Sequence, residues 1–239
     1  MKKVLIISDN YELVSFLKEL TISNSYNAKF DYKYSHINNS PELLRQLGLQ
    51  SVNVKDDDVV EYIINEYDLV ISAHCKQIFP KKLVDSVRCI NIHPGLNPHN
   101  RGWFPQVFSI INKKPIGCTI HEMNDKVDHG EIIYQESVDV YPDDDSFKVY
   151  QRVVQTEKKL IRRYLNDLVN KQYVSKPMFS EGNYNGIEDF KKLCELKLES
   201  ISTLGEHIDL LRALTHGEFK NAYFIKKWCK VLYKCQNRK

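Results

Sequence analysis

Short, apolar, β-branched runs alternate with amphipathic segments of helical period, and this alternation constrains the fold of the chain more than any other feature. Residues 3 to 8 (KVLIIS) run into Asp9 and Asn10 and then YELVSFLKELTI, whose apolar residues recur at helical spacing. A strand, a cap and a helix are expected. The alternation returns with DDDVVEYIINEY before DLVISA (68 to 73), and with PKKLVDS before VRCINIH (87 to 93). Strands that alternate with helices build a parallel sheet, and such sheets bind ligands beyond the carboxyl ends of their strands.

Beyond residue 100, FPQVFSIIN has a helical pattern, whereas IGCTIHEM (116 to 123) and EIIYQESVDV (131 to 140) are β-rich and flank the polar loop NDKVDHG. Residues 146 to 170 form a long amphipathic pattern with apolar Val149, Val153, Leu160 and Leu165 among charges, which predicts a helix closing the main domain. Turn formers in KPMFSEGNYNG place a boundary near residue 186,. The expectation is an α/β main domain over 1–186 and a small extension over 187–239, helical around 187 to 198 and 205 to 214.

With 239 residues, 42% hydrophobic and 27% charged, the composition suits a soluble globular chain and excludes disordered or collagenous classes. The opening MKKVLIISDN lacks the apolar stretch of a signal peptide, and no run reaches membrane-span length,. A cytoplasmic location with no membrane partner is expected. Six scattered cysteines without C-x-x-C spacing read as reduced thiols,. Residues 226 to 239 carry six Lys or Arg and no acid, leaving 28 basic against 31 acidic residues elsewhere. The basic run reads as a solvated terminal segment, and no nucleic-acid partner is expected. Asp143 to Asp145 precede a helix and read as its cap. Glycine-rich phosphate loops are absent, which argues against NAD or ATP.

The densest polar cluster is CINIHPGLNPHNRG, residues 89 to 102. Side chains alternate along a strand, so Asn91 and His93 share a face at its carboxyl end. An amide and an imidazole aimed at one point suit a carbonyl that becomes a tetrahedral oxyanion. Asp128, in the polar loop between the late strands, is the carboxylate placed to bias the imidazole or accept a proton. His74, His99, His121 and His129 lack metal-ligand spacing, so no metal is expected and His121 reads as structural.

The order N-x-H-P-G, a Pro and Gly loop, G-x-T-I-H-x-M and V-D-H-G-E-I resembles the folate-dependent formyltransferases over about residues 70 to 140. These proteins pass a formyl group from N10-formyltetrahydrofolate to an amine. The resemblance implies a Rossmann-like core, catalytic roles for Asn91, His93 and Asp128, and folate as co-substrate. It places the pterin against backbone near Gln77, Ile78 and Phe79 and around Asn124 to Asp128. The loop GLNPHNRG departs from the family's more usual serine-leucine-leucine-proline version.

The segments SDN (8 to 10), SAHCKQIFP (72 to 80) and LRALTHGEFKNAYF (211 to 224) resemble the sugar N-formyltransferases that act on dTDP-linked amino sugars. That resemblance implies that Ser8, Asp9, Asn10 and Lys76 meet the nucleotide sugar, with Lys76 at the diphosphate and Tyr223 or Phe224 at thymine. It also implies a homodimer and an acceptor such as dTDP-4-amino-4,6-dideoxyglucose, followed by the 3-amino isomer, for a surface polysaccharide such as O-antigen. Three alternatives stand beside it: a methionyl-tRNA formyltransferase, whose C-terminal domain runs to about 100 residues; a glycinamide ribonucleotide formyltransferase, whose compact chain would leave LRALTHGEFKNAYF unexplained; and a nucleotide-sugar binding protein without catalysis.

Overall fold

Strand β1 (Lys2–Ile7) turns Val4 and Ile6 to one face and Leu5 and Ile7 to the other, all fully buried, as expected of a strand covered by helices on both sides. The structure is a computed structural model that describes residues 1–227 and 229–233. After β1 come α1 (Tyr11–Ser23), β2 (Ala28–Ser35), α2 (Glu42–Gln46), β3 (Gln50–Val52), α3 (Asp57–Glu66), β4 (Leu69–Ala73), α4 (Lys81–Ser86) and β5 (Arg88–His93). The chain continues through β6 (Arg101–Gly102), α5 (Pro105–Asn112), β7 (Ile116–Glu122), β8 (Ile132–Val138) and α6 (Ser146–Asn170).

Seven strands form one sheet in the order β3-β2-β1-β4-β5-β7-β8. The first five are parallel, while β7 and β8 run antiparallel to their neighbours. The mainly parallel α/β core expected from the sequence is therefore present. The chain builds outward from β1 to β3, then returns to place β4 on the other side of β1, which opens a crevice between the loops that follow β1 and β4. Helices α1 and α6 cover one face through Leu13, Leu17, Leu160 and Leu165, and α3 and α4 cover the other through Val60, Ile63 and Leu83. Asp145 caps α6 by accepting from the Lys148 N–H, as the acidic run before that helix suggested.

After residue 170 the chain forms β9 (Tyr184–Asn185), α7 (Ile187–Cys194), α8 (Leu204–Leu214), β10 (Thr215–His216), β11 (Phe219–Lys220), β12 (Ala222–Lys226) and β13 (Cys229–Tyr233). Ala213 of α8 is buried with Val107 and Ile110 of α5, and the Arg212 guanidinium donates to the carbonyls of Tyr141 and Asp144 at 3.1 and 2.8 Å. This part is thus docked on the core. The β12–β13 hairpin leaves Ile225 and Leu232 more than half exposed. No described helix is long and apolar enough to cross a membrane.

Candidate active site

Asn91 and His93 lie at the carboxyl end of β5, and antiparallel pairing with β7 sets Asn91 opposite His121 and His93 opposite Thr119. One hydrogen of the Asn91 amide goes to Asp128 Oδ1 at 2.9 Å, and the same nitrogen is 3.3 Å from His121 Nε2. His121 Nδ1 stands 2.6 Å from the Glu122 carbonyl and therefore donates to it, leaving Nε2 to accept from Asn91. His121, expected as a structural strand residue, orients the Asn91 amide. The polar loop brings Asp128 back over the strand end in a left-handed conformation, φ 49°. It is held there by the Asn97 amide on its carbonyl at 2.9 Å and the Gly102 N–H on Oδ2 at 3.0 Å.

His93 Nδ1 is 3.5 Å from Asp128 Oδ2, which favours the tautomer with the proton on Nδ1. Its Nε2 is buried and has no hydrogen-bond partner among the described residues. A Cβ on Gly95 would sit 2.3 Å from that Nε2, so the glycine after Pro94 keeps the reactive edge of the ring clear. Burial brings His93 down to about 4 against the pull of Asp128. Burial alone would push Asp128 up, but a charged His93 and the Gly102 N–H hold it well below the usual carboxylate range. The two shifts compete, because a His93 that is neutral at pH 7 offers Asp128 no cation. At that pH the Asn91 and Gly102 N–H donors hold the carboxylate, and we assign a neutral imidazole beside an ionised acid.

These groups open into a cavity of about 750 Å³, within the size range of small-molecule sites. Asn91, His93 and Asp128 all line it, as do Asn10 and Lys76 at the β1–β4 crevice and Ile78 and Asn124 farther along. Asp9 also reaches it, but its carboxylate accepts from Ser35 N, Asn38 Nδ2 and Lys76 N at 3.0, 3.0 and 2.7 Å. Those bonds make Asp9 a pin joining three loops. Gln77 and Phe79 line the cavity while their side chains serve the fold: the Gln77 amide donates to Asn53 Oδ1 at 2.9 Å, and Phe79 packs in the core. Ser8 is not in the lining; it is fully buried and accepts from the Asn10 N–H at 3.1 Å.

Tyr223 and Phe224 are likewise not part of the lining. Tyr223 packs beside Cys194, Leu214 and Ala222 and carries the Lys230 ammonium over its ring. From the same segment, His216, Phe219 and Asn221 reach the cavity instead. Gly217, at φ 54°, turns β10 into β11 and presents them, and the sequence signal for that turn is THGEF. Trp103, Phe147 and Tyr184 add aromatic wall, which period-based reading overlooks because these residues belong to separate segments. Among the described residues no group of three or more His, Cys, Asp or Glu is arranged to hold a metal ion.

Residues 16–165 match the family model described as Formyl transferase, and residues 189–230 match that of the N-formyltransferase dimerization C-terminal domain. The chain is 47% identical over 166 residues to the dTDP-4-amino-4,6-dideoxyglucose formyltransferase of Mycobacterium tuberculosis (strain ATCC 25618 / H37Rv), covering 70% of this chain and 71% of that protein. The X-ray structure of a sugar N-formyltransferase from Shewanella sp FDAARGOS_354 superposes with a TM-score of 0.97 at 56% identity, covering 98% of this chain and 97% of that one. A 4-N formyltransferase from Francisella tularensis gives 0.92 at 43%, covering 100% and 98%.

Proposed function

Since the chain belongs to the formyl transferase family, we propose that it moves a formyl group from N10-formyltetrahydrofolate to the amine of a dTDP-linked amino-dideoxy sugar. The favoured acceptor is dTDP-4-amino-4,6-dideoxyglucose, the sugar named in the M. tuberculosis relative. The observation that carries this reading is the convergence of Asn91, the unpartnered Nε2 of His93 and Asp128 on one cavity. Residues 189–230 match the N-formyltransferase dimerization C-terminal domain model, which favours a sugar acceptor over the methionyl-tRNA alternative. That model's description also supports a homodimer built through the extension. A cytoplasmic role in making a surface polysaccharide, such as O-antigen, fits the same acceptor.

In this mechanism the unprotonated sugar amine attacks the formyl carbon and forms a tetrahedral adduct. Asn91 exchanges its longer contact, the one to His121, for the developing oxyanion. The ammonium proton of the adduct passes to His93 Nε2, whose new N–H faces the oxyanion. Asp128, held too low to be a useful base, stabilises the imidazolium,. Collapse breaks the bond from carbon to N10, and the proton passes from His93 to N10 of tetrahydrofolate. The Lys76 ammonium at the crevice suits the diphosphate.

The test is mass spectrometry of the protein mixed with N10-formyltetrahydrofolate and a panel of dTDP-3-amino and dTDP-4-amino sugars, with methionyl-tRNA alongside. The expected result is replacement of one hydrogen by formyl on the 4-amino sugar. Formylation of methionyl-tRNA alone would refute the acceptor, and reaction of none would leave a binding protein without catalysis.

A further inference from the structure

Residues 181–185 form a strap between α6 and the extension, with Tyr184 in the cavity lining, and they are stitched to both loops that frame Asp128. The Arg101 N–H donates to the Asn183 carbonyl and the Trp103 N–H to the Asn185 carbonyl, each at 2.9 Å, and the Asn183 N–H donates to the Pro98 carbonyl at 3.2 Å. On the other side, the Arg101 guanidinium bridges the carbonyls of Val127 and Glu181 at 3.1 Å each. Glu181 Oε2 lies 2.8 Å from His129 Nε2. The peptide neighbours of Asp128 are therefore tied, on either side, to groups held by the strap.

The side chain of Asn183 makes the tightest of these attachments. It accepts from the Asn100 N–H at 3.1 Å and donates to Asn100 Oδ1 at 2.7 Å. Asn100 is fully buried in a left-handed conformation, φ 50°, which asparagine enters more readily than most residues, and its amide also donates to the Ser109 hydroxyl at 2.9 Å and accepts from Asn112 at 2.7 Å. Two residues later the Gly102 N–H meets Asp128 Oδ2 at 3.0 Å. A Cβ at Gly182, φ 66°, would stand 1.9 Å from the Pro98 carbonyl oxygen, so the strap and the loop beneath it are pressed together with no room to separate them by a side chain.

We propose that Asn183 is a positioning residue for the formyl transfer, fixing the turn at Asn100 that delivers the Gly102 N–H to Asp128. The inference rests on the functional reading above. Asn183 is not part of the cavity lining; it acts through Gly102 on the carboxylate that stabilises the charged His93. Because the strap leads directly into α7, the docked extension and Asp128 share one hydrogen-bonded connection.

The experiment compares wild type with Asn183→Ala and the milder Asn183→Ser in the sugar formyl-transfer assay, with dTDP binding by calorimetry and thermal unfolding on the same samples. A fall in kcat of about 10- to 100-fold is expected, the order that misplacing a reacting group costs, with the dTDP Kd unchanged. In an Asp128→Asn background the further loss should shrink to less than about threefold, because the two changes act on one interaction. Overturning results are an unchanged kcat, a kcat loss matched by weaker dTDP binding, a loss that multiplies fully with Asp128→Asn, or failure of both variants to fold. Wild type that formylates no sugar in the panel would instead sink the functional reading, and this inference with it.

Discussion

Two buried imidazole–carboxylate pairs stand on the ends of adjacent strands, His74 with Glu157 just beyond β4 and His93 with Asp128 at the end of β5. They differ in which atoms they leave without a partner. His74 Nε2 lies 2.8 Å from Glu157 Oε1, and its Nδ1 is 3.3 Å from both Asn10 Nδ2 and the Tyr150 hydroxyl. That ring is engaged at both nitrogens, and it locks α6 to the loops after β1 and β4. In the other pair the carboxylate receives N–H groups from Asn91 and Gly102, and the imidazole keeps Nε2 clear. The unpartnered atom of the first pair is Glu157 Oε2, on an acid that does not line the cavity. A histidine–carboxylate pair by itself is thus no mark of chemistry. An unpartnered ring nitrogen on a residue that lines the cavity is the distinguishing feature.

Substitutions in the two pairs should separate activity from stability. His93→Asn is expected to lower kcat by about 10³-fold, within the range for loss of a proton-transfer group, while dTDP affinity measured by calorimetry stays the same. A fully active His93→Asn protein would erase the distinction. Asn91→Ala should lower turnover by about 10² to 10³, the cost of one oxyanion donor, read in the same formyl-transfer assay. Glu157→Leu should act in the opposite way. It leaves the buried His74 N–H without its acceptor and should cost about 3 kcal/mol in urea unfolding, with kcat of the folded protein changed less than about threefold. A large kcat loss at normal stability would move His74 into the chemistry.

The smallest effect is on pH-dependent stability. Folded His93 is brought down to about 4 by burial, whereas the unfolded chain titrates near the ordinary 6.5. Between those values the unfolded state binds the proton and the folded state does not, so stability falls as pH drops. The loss should be about 2 kcal/mol between pH 7 and pH 5, read as a shift in urea midpoint and absent in His93→Asn.

The elements most legible in the sequence are those whose packing is periodic. Val149, Val153, Leu160 and Leu165 are all buried on α6, and the runs at β1 and β4 are nearly continuous in apolar residues because helices cover both faces. Residues 28–52 carry a weaker signal. β2 mixes Lys29, Asp31 and Lys33 with aromatics and is paired on one side by the three-residue β3, so it is only partly buried and its pattern is weak. The β12–β13 hairpin carries a weak sequence pattern for a related reason: its apolar side chains are largely exposed. Cys235 and the end of the basic run, residues 234–239, lie outside the described residues.

The sequence by itself determined the sheet-forming alternation and the strand-end pair Asn91 and His93, because both depend on neighbours two to four positions apart. It also carried Asp128, through a motif. Tertiary structure alone decided which polar groups remain open. Asp9 and Gln77 face the cavity region yet are held by Ser35, Asn38 and Asn53. His216 and Phe219 reach the cavity in place of Tyr223 and Phe224. Asn183 meets Asn100 across 83 residues of chain. A hydrogen bond is a short-range contact between groups that the fold brings together, and local sequence has no term for a partner so far along the chain.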